Sequence, residues 1–331
     1  MNYMINKKEF LKFLDTLKGD FEVYAPTKEK NGDIMITAAN DKELVADMPK
    51  TARSPKNLFL PMTETLMTYE MNDKGLKSVK QAPYTTKKRV LVGIRPCDLA
   101  AVPIMQKLFR TTDAPMKARI DNTTFIVLNC NQSCSEMAFC SSVGTGPFAK
   151  DSYDIALTDM GDEYLVEIGS SKGEQLIKGK ITTAADKSYK KKKTDLQKKS
   201  EESFSIKFDV RGIENKLSMD DKRWEEKGKA CMRCGACNYV CPTCVCFNVI
   251  DQHNERIRIW DSCLLSGFTL LAGGENPREK LKDRIIQRYF HKFQYTKIND
   301  DYHSCVGCGR CSEVCLFNDD MGMTLQEISK Q

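Results

Sequence analysis

Residues 231–242 read CMRCGACNYVCP, and residues 305–315 read CVGCGRCSEVC. In both runs three cysteines stand at Cys-x-x-Cys-x-x-Cys spacing, and a fourth follows after three further residues. This is the spacing of bacterial proteins with two [4Fe–4S] clusters, in which the fourth cysteine of each run ligates the cluster of the other run. Two such runs on one chain predict a mainly helical, ferredoxin-like C-terminal domain that binds two clusters.

The crossed pattern predicts four ligands for each cluster. The predicted ligands of cluster 1 are Cys231, Cys234, Cys237 and Cys315. The predicted ligands of cluster 2 are Cys305, Cys308, Cys311 and Cys241. Structural zinc is the alternative, but zinc sites usually combine separate Cys-x-x-Cys pairs, so a repeated run of three plus one fits zinc poorly.

The bulk composition limits the class of protein. A chain of 331 residues, 41 % hydrophobic and 29 % charged, is long enough for two or three domains. It has no apolar run that predicts a signal peptide or a membrane span, so we expect a cytoplasmic protein. In a reducing compartment, fifteen cysteines indicate metal ligation and disfavour a disulfide scaffold.

The net charge does not point to nucleic acid. The formal charge is +6 at pH 7. An oxidised cluster with its four thiolates contributes about −2, so two or three clusters would leave the loaded protein nearly neutral.

Hydrophobic patterns divide the chain into two domains and a linker. Residues 1–185 are predicted to form an α+β or α/β domain with a partly parallel sheet, because β-branched runs such as Arg89–Ile94 and Thr124–Leu128 alternate with helical segments. An amphipathic helix is expected from Asn6 to Leu17, and a strand over Asn57–Pro61. The lysine-rich stretch 186–204 is predicted to be a basic linker or solvated helix, followed by the two-cluster domain over residues 205–331.

Four further cysteines belong to the N-terminal domain. Cys97 and Cys130 each follow a predicted strand, and Cys134 and Cys140 lie in the loop after Cys130. Because the carboxyl ends of neighbouring parallel strands meet at one edge of a sheet, we expect these thiols to lie close together. They are the candidate ligands of a third iron–sulfur cluster, and buried free thiols or a zinc site are the alternatives.

Three cysteines have no assigned role. Cys244 and Cys246 follow the first cluster run, and Cys263 comes later in the chain. They are candidates for replacing a cluster ligand, binding an additional group or filling the core, and the last role is favoured. No catalytic residue is predicted, since the three histidines show no metal spacing and the chain has no nucleotide or flavin fingerprint.

Several stretches together resemble a known family. They are residues 60–66 (LPMTETL), 93–99 (GIRPCDL), 139–146 (FCSSVGTG), 241–246 (CPTCVC), 260–263 (WDSC) and 305–311 (CVGCGRC). On these residues the chain is similar to the 4Fe–4S dicluster electron-transfer subunits, a family that includes the anaerobic sulfite reductase A subunit and the sulfhydrogenase β subunit.

The resemblance implies a relay subunit of an oxidoreductase complex. One partner would be a subunit that binds flavin (FAD) and oxidises NAD(P)H, and the other a terminal catalytic subunit. We expect the terminal unit to be an anaerobic, sirohaem sulfite reductase, with a nickel–iron hydrogenase as the alternative. A hypothesis of another class is a stand-alone flavin-dependent oxidoreductase in which Cys97 and Arg95 are catalytic, and an iron–sulfur sensor or scaffold is a further one.

The chain departs from the family pattern at two positions. Ala138 stands where related proteins have the first cysteine of a Cys-Phe-Cys element, which removes one candidate ligand of the third site. Cys134 is the expected replacement. Leu316 stands where a ferredoxin usually has proline after the last cysteine, a position that shapes the turn and not the ligation.

Overall fold

The computed structural model describes residues 2–39, 44–45, 47–109, 112–181, 183–317 and 319–331. Its strands are β1 (Asn2–Asn6), β2 (Glu22–Lys28), β3 (Ile34–Ala38), β4 (Thr63–Asn72), β5 (Gly75–Gln81), β6 (Arg89–Ile94), β7 (Thr123–Leu128), β8 (Ile155–Asp159), β9 (Glu163–Ile168), β10 (Phe247–Gln252) and β11 (Glu255–Trp260). Its α-helices are α1 (Lys7–Leu17), α2 (Pro96–Leu108), α3 (Ala114–Asp121), α4 (Ser171–Ile177), α5 (Tyr189–Glu202), α6 (Ile213–Lys216), α7 (Arg223–Ala230), α8 (Ala236–Tyr239), α9 (Leu281–Phe290), α10 (Thr296–Asp300), α11 (Arg310–Glu313) and α12 (Met321–Ser329). A π-helical turn, His291–Tyr295, continues α9.

A seven-stranded sheet of order β1-β9-β8-β7-β6-β2-β3 forms the centre of the N-terminal half. Strands β2, β6, β7 and β8 are parallel, while β1, β9 and β3 are antiparallel to their neighbours. Every residue of β6 and β7 is buried, as expected for central parallel strands covered on both faces. The predicted partly parallel sheet is therefore confirmed.

Helix α1 is capped by Asn6 and buries its apolar face in this core. The side chain of Asn6 accepts a hydrogen bond from the backbone N–H of Lys8, which caps the first turn. The apolar face is buried and consists of Phe10, Phe13, Leu14 and Leu17.

The strand predicted over Asn57–Pro61 is wrong: a 3₁₀ turn, Pro55–Leu58, lies there, since proline at its start favours a turn.

A second sheet, of order β10-β11-β4-β5, takes two strands from each half of the chain. Ile257 of β11 pairs with Thr65 of β4 across the predicted domain division. Beneath this pairing the buried carboxylate of Glu64 accepts hydrogen bonds from the guanidinium groups of Arg119 and Arg258. The two halves are thus joined by backbone pairing as well as by side chains.

The lysine-rich stretch forms helix α5, which packs against the N-terminal half. Lys193 forms an ion pair with Glu167 of β9 at 2.7 Å, and the buried Ser200 hydroxyl donates to the carbonyl of Cys130 at 2.6 Å. This anchors α5 beside the loop that follows β7. In the part of the chain that the structure describes, no helix has the length and apolar character to cross a bilayer.

Candidate iron–sulfur centres

The four predicted ligands of cluster 1 surround one cavity. The cavity has a volume of about 450 Å3, and among its lining residues are Cys231, Cys234, Cys237 and Cys315. Two backbone amides point at these sulfurs: the N–H of Arg233 donates to Cys231 Sγ and the N–H of Asp319 to Cys315 Sγ, both over 3.4 Å. Hydrogen bonds of this kind stabilise thiolates that ligate iron.

Glycine geometry turns the first cysteine run around this cavity. Gly235 has a φ of +71°, a backbone conformation that glycine adopts without strain, and helix α8 begins at the next residue. A Cβ at this position would also lie 3.2 Å from the side chain of Ser262. Cys234 is exposed, so cluster 1 would lie near the surface.

The four predicted ligands of cluster 2 lie in the interior. Less than a tenth of each is exposed: the residues are Cys241, Cys305, Cys308 and Cys311. Burial raises the pKa of Cys305 and of Cys308 to about 12, and metal ligation would be needed to deprotonate these thiols. The N–H of Gly307 donates to Cys305 Sγ over 3.4 Å.

Lys292 is buried against the same group. Its ammonium lies 3.3 Å from Cys241 Sγ, 3.1 Å from the hydroxyl of Thr243 and 3.2 Å from the carbonyl of Ser304. Among the described residues no carboxylate lies within ion-pair distance of this ammonium. Burial opposes its charge, but nearby thiols, Cys241 first among them, raise the pKa of Lys292 well above its usual value. A buried cation without a carboxylate calls for another anion, and thiolate-ligated iron fits that need.

Two buried arginines each carry a charge that acts on thiols of two different groups. Arg310 forms a two-point ion pair with Asp98 at 2.7 and 3.0 Å, and its charge also acts on Cys308 and Cys97. The charge of Arg288 acts on Cys237, a predicted ligand of cluster 1, and on Cys311, a predicted ligand of cluster 2. The cysteine spacing gave no sign of these cations. For Arg288 the signal in the sequence is the recurrence of a cation every fourth residue, at positions 284, 288 and 292, which places these residues on one face of a predicted helix.

The four N-terminal cysteines lie together at the expected edge of the sheet. Cys97, Cys134 and Cys140 pack in one apolar group, and Cys130 and Cys134 lie close enough for each thiol to shift the pKa of the other. Burial, and after it the neighbouring Cys134, raises the pKa of Cys140. Ala138, at the position where the family pattern has cysteine, is fully buried beside them. These residues have the composition of a cluster site, and their assignment as ligands stays a prediction.

The loop with the predicted cluster 2 cysteines is in direct backbone contact with the loop of the N-terminal cysteines. The N–H of Phe139 donates to the carbonyl of Gly307 over 2.8 Å, and Cys308 packs in one apolar group with Cys97 and Cys140. A Cβ on Gly307, whose φ is +60°, would come within 2.7 Å of the backbone N of Cys140. Glycine therefore allows the two loops to approach so closely.

The three unassigned cysteines lie near the predicted cluster ligands of the first cysteine run. The neighbouring thiol of Cys244 lowers the pKa of Cys241, and the neighbouring thiol of Cys263 raises the pKa of Cys246. Asn238 donates from its side-chain amide to Cys263 Sγ over 3.1 Å. The buried ammonium of Lys56 donates to the carbonyl of Cys244 over 2.7 Å. The contacts of these thiols are with other thiols and with hydrogen-bond donors that support the first cysteine run.

Comparisons with known proteins agree with these observations. Residues 230–318 match the family described as the 4Fe-4S dicluster domain. The chain is also 29 % identical over 331 residues to the sulfhydrogenase 2 subunit beta of Pyrococcus furiosus, with 95 % of each chain covered. No solved structure matches the chain.

Proposed function

The predicted resemblance to iron–sulfur β subunits extends over almost the whole chain, and on that premise we propose that this protein relays electrons inside an oxidoreductase complex. Two groups of four cysteines, each flanked by a buried cation, carry the proposal. When bound, the clusters would supply one-electron carriers between a two-electron donor and a terminal catalytic site.

The residues of this chain would hold and insulate the carriers. The cluster 1 cysteines would hold their cluster at the surface, where a partner can approach. The cluster 2 cysteines would exclude water, because each is almost fully buried. The N-terminal cysteines would extend the series through the contact between Gly307 and Phe139.

A hydrogenase complex is the favoured setting. The sequence alone led us to expect a sulfite reductase, but the relative is a sulfhydrogenase β subunit, which favours the alternative. We propose that the partners are a subunit that binds flavin and NAD(P)H and a nickel–iron catalytic subunit.

The stand-alone flavin enzyme has less support. Its proposed nucleophile, Cys97, is 3 % exposed, and burial raises its pKa well above the usual value, so the thiolate is disfavoured. The guanidinium of Arg95 donates to the carbonyl of Met48, a structural contact.

Iron and sulfide analysis of the full chain, purified without oxygen, tests the relay. About eight irons per chain are expected for two clusters and about twelve for three. Cys234→Ala and Cys308→Ala should each remove the spectroscopic signal of one cluster and stop electron flow. Cys97→Ser should remove about four irons if the third cluster exists. Colourless, iron-free protein that contains zinc would contradict the proposal.

The setting needs a separate test. Purification of the native complex should yield partner chains with hydrogenase activity and bound nickel. Purification with a sirohaem protein and sulfite reductase activity would restore the first expectation.

A further inference from the structure

Arg288 is buried with unused hydrogen-bond donors. The residue is 3 % exposed and lies on helix α9. Its Nη1 group donates to Asp319 Oδ2 at 3.3 Å, whereas its Nε and Nη2 groups have no hydrogen-bond partner among the described residues. Such donors are costly to bury, so they indicate an anionic or sulfur acceptor at that place.

Arg284 shows that the helix does not impose this arrangement. It lies one turn earlier on α9 and is equally buried at 3 %. Its guanidinium donates to three backbone carbonyls, those of Arg278, Glu279 and Leu264, at 2.6–3.2 Å. Arg284 is therefore a structural arginine and a matched control for Arg288.

The position of Arg288 identifies the acceptor. Its side chain lines the cavity surrounded by the four predicted cluster 1 cysteines. Burial opposes the charge of its guanidinium, and the neighbouring Cys237 of cluster 1, Cys311 of cluster 2 and Asp319 raise the pKa of Arg288 well above its usual value. One cation thus acts on a ligand of each cluster.

We propose that Arg288 is a positioning residue that donates hydrogen bonds to cluster 1 and raises the reduction potentials of both clusters. The inference rests on the proposed function, since it requires both clusters to be present. A positive charge in a low-dielectric interior stabilises the added electron, and hydrogen bonds to the sulfurs act in the same direction. The effect is greater for cluster 1, because Arg288 itself lines the cavity of that cluster.

The test is a potentiometric titration of the cluster-loaded full chain, followed by electron paramagnetic resonance. Arg288→Gln should lower the reduction equilibrium constant of cluster 1 at least tenfold, which is about 59 mV for one electron, and that of cluster 2 by less. Arg284→Gln should change both constants less than twofold. Asp319→Asn should shift the potentials upward, because it removes a negative charge from the same cavity.

Each outcome decides for or against the inference. Unchanged potentials in Arg288→Gln with full iron content would overturn it, as would an equal shift in Arg284→Gln. If Arg288→Gln lacks the iron of cluster 1 and Arg288→Lys retains it, the placement of the charge is supported. If both Arg288 variants lose that iron, charge at this place is not sufficient and the inference fails. Wild-type protein without iron would instead refute the proposed function.

Discussion

Replacing Lys292 by methionine removes the cation that lies 3.3 Å from Cys241 Sγ. Two unit charges at that separation attract each other by about 5 kcal/mol at an effective dielectric constant of about 20. Part of this is offset by the cost of burying the ammonium, and removing one member of a buried pair typically costs about 3–5 kcal/mol. We therefore expect cluster 2 to bind at least roughly 10²-fold more weakly in Lys292→Met.

Iron release to a chelator under anoxic conditions measures this effect. Lys292→Met should lose about four irons much faster than the wild type, with the signal of cluster 2 disappearing first. Lys297→Met is the control, since Lys297 pairs with Asp301 on the surface and its loss should leave the release rate unchanged. Equal release rates in Lys292→Met and the wild type would show that the ammonium does not compensate the charge of the cluster.

Three further predictions concern the N-terminal cysteines and the contact between the halves. In cluster-free protein, the neighbouring thiol of Cys130 lowers the pKa of Cys134 to about 6. Alkylation followed by mass spectrometry should therefore label Cys134 at pH 7 and much less below pH 5, and labelling that rises only near pH 9 would contradict this. Gly307→Ala should lower the free energy of unfolding by about 2–5 kcal/mol, because the new Cβ would strain a backbone with positive φ and overlap the backbone of the facing loop. The control Gly212→Ala has a similar φ but open space around it, so it should cost about 1–2 kcal/mol. Equal losses in denaturant titrations would refute the clash. Asp98→Asn leaves the buried guanidinium of Arg310 without its counter-ion and should cost about 3–5 kcal/mol in the same assay, a value that a loss below 1 kcal/mol would exclude.

The parallel part of the fold could be predicted because its signal is local. Arg89–Ile94 and Thr124–Leu128 are short β-branched, apolar runs that favour a covered strand, and they lie in β6 and β7. The second sheet could not be predicted in this way. Its strands β4 and β11 are largely amphipathic or polar, and they pair across almost two hundred positions of sequence, a choice that depends on tertiary packing.

The candidate site shows the same contrast between features that follow from local sequence and features that depend on tertiary packing. Ligand identity follows from cysteine spacing, because the cluster itself requires thiolates at those intervals. The charges around the ligands do not follow from it. Lys193 and Lys292 are the same residue type, yet the first pairs with Glu167 at the edge of the structure and the second is buried beside a thiol. Only the three-dimensional neighbours separate the two roles.

The close seating of Gly307 against Phe139 has a consequence for how the protein matures. Once the two halves have met, the second group of cysteines is enclosed between them, and almost none of its surface reaches solvent. We therefore expect iron and sulfide to arrive while the halves are still apart. Cluster insertion would then precede association of the two halves. A newly made chain whose halves associate first would fold without cluster 2.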